Sequence, residues 1–331
     1  MQVPVIDVAG FRAGDRDRRR EVVRQWARAF ETIGFATVVG HGIPETLLDE
    51  IHRLALQFFD RPLGEKMRCS FQPEKTGQGY VPMGVESVAR TLDGREAPHD
   101  LCEALTFSNL EWERLGAKPS AGAAFYRPNL WPGRPAGLRR CIGQYFDQAY
   151  ALGQLLMRMS APALDLPDGY FDRYYDRMAT TLRLVQYPDH EGDPLPGQLR
   201  YGAHTDYTGF TILRQDDAPG GLQVLAPGGA WIEVPPVRGA LVVNAGDLLA
   251  RWTNDRWKSN VHRVVNPPRA LTGSARRLSI VFFTGPNPDA RIECLPSCQS
   301  AARPPKYPPV VAHEHLISKI RASMERQLGS E

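Results

Sequence analysis

Between residues 15 and 33 the apolar positions Val22, Val23, Trp26, Ala27 and Phe30 return at helical spacing among charged neighbours. The pattern predicts an amphipathic helix over 15–33. A short strand, Val3-Pro-Val-Ile-Asp7, precedes it, and a glycine-bounded β-branched run, Gly34-Phe-Ala-Thr-Val-Val39, follows it. A second helix is predicted over 44–59, with Pro44 in the first turn, where proline is tolerated. Residues 61–131 are rich in Gly, Pro and charge and show no clear period, so they are expected to be irregular. A third, longer helix is predicted over 137–164, with Tyr145, Ala149, Leu152, Leu155, Leu156 and Met159 as its apolar stripe.

From Met178 onward the period changes. Short β-type runs at 181–187, 209–214, 222–225, 231–234, 240–244, 259–265 and 277–283 are separated by Gly, Pro and Asp. Many short strands with regular turn signals predict a sandwich or jelly roll. A last helix is expected over 313–328, and no internal repeat interrupts the series. The fold class is therefore mainly β with flanking helices. Residues 1–177 are expected to pack as a helical and irregular region on a core of residues 178–331, the two making one structural unit.

Composition narrows the classes. The chain has 331 residues, 42% hydrophobic and 23% charged, with a formal charge of +3, as expected of a soluble globular protein. Its basic residues are scattered, which argues against nucleic-acid binding and against a polybasic membrane patch. No apolar run approaches the ~20 residues that span a bilayer, and the N-terminus does not read as a signal peptide. Five cysteines, an odd and sparse set, fit a reducing cytoplasm better than a disulfide framework. Cys294 and Cys298 form the only close pair and lack the second pair that a zinc site needs.

The candidate chemistry centres on Tyr201-Gly-Ala-His204-Thr-Asp206 and on Asn260-Val-His262. On a strand, residues two apart share a face, so His204 and Asp206 are expected to project together. His262, on another strand, would complete two imidazoles and one carboxylate, a set that grips one face of Fe(II) and leaves the other open. A His-x-Asp pattern alone is equally compatible with a satisfied structural histidine. The other histidines, His41, His52, His99, His190, His313 and His315, have no such partner in sequence. Further on, strand parity puts Arg277, Ser279 and Val281 on one face. The guanidinium fork and the hydroxyl suit a carboxylate, although an exposed edge arginine would give the same pattern.

With these motifs assembled, the chain resembles the isopenicillin N synthase-like family of Fe(II)- and 2-oxoglutarate-dependent dioxygenases almost end to end. The resemblance runs through Val3-Pro-Val-Ile-Asp7, Gly34-Phe-Ala-Thr-Val-Val-Gly-His-Gly42, Phe58-Phe-Asp-Arg-Pro-Leu63 and Gln186-Tyr-Pro188. It continues through His204-Thr-Asp206, Gly221-Leu-Gln-Val224, Trp231-Ile-Glu-Val-Pro-Pro236, Asn244-Ala-Gly-Asp247, Trp252-Thr-Asn-Asp255, His262-Arg-Val and Arg277-Leu-Ser279. It implies a distorted double-stranded β-helix, a jelly roll with iron in its mouth. It further implies His204, Asp206 and His262 as iron ligands, and Arg277, Ser279 and Tyr187 on the distal carboxylate of 2-oxoglutarate. Fe(II), 2-oxoglutarate and O2 are the implied cofactor and cosubstrates, and no catalytic acid or base is required. One departure is a loop between His262 and Arg277 that is longer than usual in the family.

The substrate is expected to be a small molecule. Alternation in Thr181-Leu-Arg183-Leu-Val185-Gln-Tyr187 places Arg183 and Val185 on the face of Tyr187. A buried arginine needs an anionic partner, so Arg183 either meets a carboxylate or other polar group of the substrate or forms a structural salt bridge. Tyr80, in Gly79-Tyr80-Val-Pro-Met83, and Phe283 are candidate pocket walls. The C-terminal helix is a candidate lid or a packing element. The resemblance leaves hydroxylation, desaturation, epoxidation and ring closure open, as it does the oligomeric state. It is compatible with specialised metabolism, such as antibiotic biosynthesis, in a bacterium. Two rivals stand beside it: an isopenicillin N synthase-type oxidase that does not use 2-oxoglutarate, and a jelly-roll binding protein with no chemistry.

Overall fold

A computed structural model describes residues 1–71, 78–93, 96–110, 129–189, 192–268 and 273–328. His190 and residues 269–272 of the long loop lie outside this set. The chain forms strands β1 (Val5–Asp7), β2 (Phe35–Val39), β3 (Gly79–Val81), β4 (Glu103–Ser108), β5 (Ala179–Tyr187) and β6 (Tyr201–His204). These are followed by β7 (Phe210–Arg214), β8 (Leu222–Leu225), β9 (Trp231–Glu233), β10 (Leu241–Ala245), β11 (His262–Val264) and β12 (Arg277–Gly285). The major sheet has the order β1-β2-β10-β7-β12-β5-β4-β3, and a smaller sheet has the order β6-β11-β8-β9.

Parity along the major sheet explains where the layers lie. Leu182, Leu184, Ile212, Ile280 and Phe282 share one face and join the main core with helices Arg16–Thr32, Glu45–Phe59 and Leu138–Ala163. Trp26 and Phe30 are fully buried there and meet Phe210 at 5.4 and 5.1 Å between ring centroids. Burying such a side chain stabilises the fold by about 1.5–3 kcal/mol. Asp15 caps the Arg16–Thr32 helix by accepting the N–H groups of Asp17 and Arg18. The opposite parity faces the small sheet. There Phe35 and Val242 meet Leu222, Val224 and Val234, and Val81, Ala104, Val185 and Tyr187 meet Val264. The site forms between the two sheets.

Two expectations need correction. Residues 61–131 are not wholly irregular, because β3 and β4 extend the major sheet beyond β5. Strand β4 is buried on both faces up to Phe107 and so shows no alternation. Its Glu103 looks like a surface charge in sequence, yet it is buried and receives Lys66 Nζ at 2.7 Å, with Tyr80 and Gln186 also donating to it. Tyr80 is the second correction. It lies across from Leu105 and packs with Phe58 in the helix-side core, so it does not line the pocket. One residue of parity separates it from Val81, which does face the site.

Candidate metal centre and cosubstrate site

His204 ends β6 and lies directly across from His262, which begins β11, so antiparallel pairing alone brings the imidazoles together. Their ring centroids are 4.2 Å apart. Asp206 sits two residues past the end of β6. Its convergence therefore comes from the turn after the strand and not from strand parity. That turn is held by the Asp247 N–H donating to the Asp206 carbonyl at 2.8 Å and by the Gly246 N–H donating to the Gly209 carbonyl at 2.8 Å. Position 246 must be glycine for this approach, since a Cβ there would come within 2.6 Å of the Thr208 carbonyl.

Each ligand candidate has one donor atom free and the rest of its polar group occupied. His204 Nδ1 lies 2.9 Å from the Gly202 carbonyl, and His262 Nδ1 lies 3.1 Å from the Asn260 carbonyl. A carbonyl only accepts, so each Nδ1 carries the proton and each Nε2 keeps its lone pair. Asp206 Oδ2 receives Thr211 Oγ1 and Asn244 Nδ2, the latter at 2.6 Å. Its Oδ1 faces His204 Nε2 at 3.7 Å and His262 Nε2 at 3.8 Å. The three ligand atoms lie within 4.8 Å of one another, a group that could hold a metal ion, and all three residues are buried. Burial and the neighbouring His262 push the His204 imidazolium pKa down, which keeps the ring neutral. Burial alone would raise the Asp206 carboxyl, but the two imidazoles and the Thr211 and Asn244 donors hold it below its ordinary value. Two imidazoles with open Nε2 positions and one carboxylate fit Fe(II). Phe35 stands edge-on to His262 at 5.3 Å and Tyr201 edge-on to His204 at 4.9 Å, fixing the ring planes.

Arg277, Ser279 and Tyr187 come together beside this centre. Arg277 pairs across the sheet with Tyr187 and Ser279 with the neighbouring Val185, which puts the three side chains on one face. Tyr187 packs with Val264 of β11, the strand that carries His262. The Arg277 side chain is 2% exposed. It donates to the Ala218 carbonyl at 3.1 Å and to Gln215 Oε1 at 2.9 Å, while its Nε has no partner. Among the described residues no carboxylate lies within ion-pair distance of it, and burial lowers its pKa. A buried fork with neutral partners and an idle N–H suits an incoming carboxylate.

The remaining predicted positions divide. Val185 lines the face shared with Tyr187 and Val264, and Phe283 lies on the same parity as Arg277 and Ser279, half-buried. Arg183 is in an ion pair, with Nη2 donating to Glu86 Oε1 and Oε2 at 2.8 and 2.7 Å and Nη1 donating to the Tyr201 hydroxyl at 3.2 Å. Sequence reasoning missed Glu86, Thr211, Asn244 and Gln215. Thr211 and Asn244 did leave a signal, since they are polar residues at the inward parity of otherwise apolar strands. Glu86 left none.

Two imidazoles and a carboxylate around one centre in a jelly roll, with a buried arginine fork nearby, have the make-up of a non-haem iron oxygenase site. Comparison with known proteins agrees. The family model of the 2OG-Fe(II) oxygenase superfamily matches residues 173–286, and the model described as non-haem dioxygenase in morphine synthesis N-terminal matches residues 3–134. The chain is 34% identical to the 2-oxoglutarate-Fe(II) type oxidoreductase hxnY of Emericella nidulans, covering 98% of this chain and 90% of that protein. It is 30% identical to the validamycin A dioxygenase of Streptomyces hygroscopicus subsp. limoneus, covering 96% of this chain and 85% of that protein. Among solved structures, a full-length Neurospora crassa protein in complex with alpha-KG and thymine superposes with a TM-score of 0.84 at 33% identity, covering 97% of each chain. The chain belongs to the 2OG-Fe(II) oxygenase superfamily and is an Fe(II)- and 2-oxoglutarate-dependent dioxygenase that takes O2 as cosubstrate. The two rival readings, an oxidase without 2-oxoglutarate and a binding protein without chemistry, are set aside.

Proposed function

We propose that His204, Asp206 and His262 hold Fe(II) in this enzyme. Arg277, Ser279 and Tyr187 receive the far carboxylate of 2-oxoglutarate, and a small molecule is oxidised at the adjoining face lined by Arg183, Val185 and Phe283. The observation that carries this reading is the orientation of the triad. Both Nε2 atoms and one carboxylate oxygen face a common centre, while every other polar atom of the three side chains is already hydrogen-bonded. Bound iron with 2-oxoglutarate supplies the O2-driven oxidation. The protein binds, orients and excludes water.

The Arg183–Glu86 pair sharpens the substrate class. With Glu86 taking both hydrogen bonds of Nη2, the cation is neutralised inside the protein. A carboxylate substrate would have to displace Glu86, whereas an uncharged molecule with hydrogen-bonding edges meets a ready-made donor and acceptor. The thymine-bound structural relative supports an uncharged small substrate, and the validamycin A dioxygenase supports a setting in bacterial specialised metabolism, including antibiotic biosynthesis. A cytoplasmic location completes the proposal.

Anaerobic addition of Fe(II) and 2-oxoglutarate tests it. A weak visible charge-transfer band should form, and air should release succinate. His262→Ala should abolish the band, and Arg277→Leu should demand far more 2-oxoglutarate. A full band in His262→Ala would overturn the ligand assignment. For the substrate face, Arg183→Leu should raise the substrate KM and leave the 2-oxoglutarate KM unchanged.

A further inference from the structure

A second arginine stands behind Arg277. Arg200, just before β6, is 3% exposed. Its Nη1 donates to the Pro219 carbonyl at 2.7 Å, and its Nη2 donates to the Ala275 carbonyl. Arg277 takes the carbonyls on either side, Ala218 and Gly220. Two buried guanidiniums thus hold three successive carbonyls of one turn, Arg277 at its ends and Arg200 at its middle. Arg200 also fixes residue 275, two positions before Arg277. Among the described residues neither guanidinium has a carboxylate within ion-pair distance.

The nearby described acids act on the pair only from beyond ion-pair distance, Asp189 on Arg200 and Asp216 and Asp217 on Arg277. Asp189 is exposed and accepts from Ser274 and the Ala275 N–H. Asp216 accepts from His52, Arg214 and the Leu278 N–H, and Asp217 is exposed. Two adjacent buried cations with no ion-pair partner among the described residues are costly unless an anion arrives to meet them. Burial, and after it the repulsion of Arg277, lowers the pKa of Arg200.

We propose that Arg200 is a positioning and specificity-determining residue for the dicarboxylate cosubstrate. It clamps the turn at 218–220 and residue 275 so that the Arg277 fork is held in place, and its own charge adds to the field that selects a 2-oxo acid with a second carboxylate. The proposal rests on Arg277 receiving that far carboxylate. The second positive charge also offsets the three carbonyl dipoles gathered around the Arg277 fork.

The test uses the full chain loaded anaerobically with Fe(II). 2-Oxoglutarate and 2-oxopentanoate, which has the same carbon chain but ends in a methyl group, are titrated through the visible band of each complex. In Arg200→Met the 2-oxoglutarate Kd should rise on the order of tenfold, and the 2-oxopentanoate Kd should stay within about twofold. Arg200→Lys, which keeps the charge, should retain most of the discrimination, and Arg200→Gln serves as the uncharged variant if Met disrupts folding. Equal weakening of both acids, or of neither, overturns the proposal. Arg277→Leu runs in parallel. If that variant leaves the ratio of the two Kd values unchanged, the Arg277 assignment itself fails, an outcome distinct from failure of Arg200 alone.

Discussion

In the proposed iron site, two neutral side chains set the aim of the Asp206 carboxylate. Asn244 on β10 and Thr211 on β7 are directly opposed across the sheet and both donate to Oδ2, leaving Oδ1 for the centre. Asn244→Leu keeps the volume and removes one donor. A hydrogen bond to a charged group contributes about 1.5–3 kcal/mol, which corresponds to a Kd change of roughly 10- to 150-fold. Partners of metal ligands typically account for about 10- to 100-fold in affinity, so the two routes converge. The Fe(II) Kd of Asn244→Leu should rise by about 10- to 100-fold. Thr211→Val should behave similarly. The double variant should lose more than the two effects added, because the first loss is cushioned by the remaining donor and the second leaves a buried oxygen unpaired. Anaerobic calorimetric titration of Fe(II) into each variant measures the effect, with far-ultraviolet circular dichroism confirming the fold. Fe(II) affinity within twofold of the parent in both folded single variants would refute the reasoning.

Three further outcomes follow from the same neighbourhood. Gly202→Ala puts a Cβ 2.7 Å from that of Ala89, so the turn at 86–89 must move away from β6; a loss of about 1–3 kcal/mol in denaturant unfolding is expected, and an unchanged midpoint would contradict it. Asp100, buried and bonded to the N–H groups of Val88 and Gly202, has its carboxyl raised from 3.8 to about 7, chiefly by burial. The folded state therefore keeps that proton between about pH 4 and 7, where the unfolded chain has lost it. Its contribution is largest at low pH and falls as pH rises, by at most about 4 kcal/mol. Unfolding free energies at pH 4.5 and 7.5 should show the parent losing stability relative to Asp100→Asn, and parallel profiles would count against the shift. Glu86→Gln removes the counter-ion of Arg183 and should cost about 2 kcal/mol, less than a fully buried pair because the Glu86 side chain is 29% accessible; Arg183→Met in the same chain should recover part of the melting temperature.

Much of this site is legible in one dimension. Imidazoles and carboxylates at fixed spacing, and an Arg-x-Ser pattern on a β-type run, are local signals. Helix positions are legible too, because their apolar stripes repeat over several turns. What stays hidden depends on contacts distant in sequence. The partner of Arg183 lies 97 residues away at Glu86, in a turn with no periodicity. Strand β4 has no polar face to announce it, and Glu103 counts as a surface charge until Lys66 is seen against it. Tyr80 is misplaced by sequence alone because a three-residue strand offers no way to fix parity without its neighbour β4. Strand parity brings Asp206 beside His204 for an incomplete reason, since its aim comes from the turn fastened by Gly246 and Asp247.

The strand order carries a practical consequence for engineering. Strands β1 and β2 border one side of the C-terminal strands and β4 and β3 border the other. In the major sheet, the strands of the family-model match over 173–286 are therefore flanked on both sides by strands of the match over 3–134. The N-terminal half places Phe35 against His262 from one seam and Val81 and Ala104 against Tyr187 and Val264 from the other. Both halves thus line the candidate site. A chimera joining the first half of one relative to the second half of another must match the β2–β10 and β4–β5 seams together, or it will disturb both the packing around Tyr187 and the setting of His262.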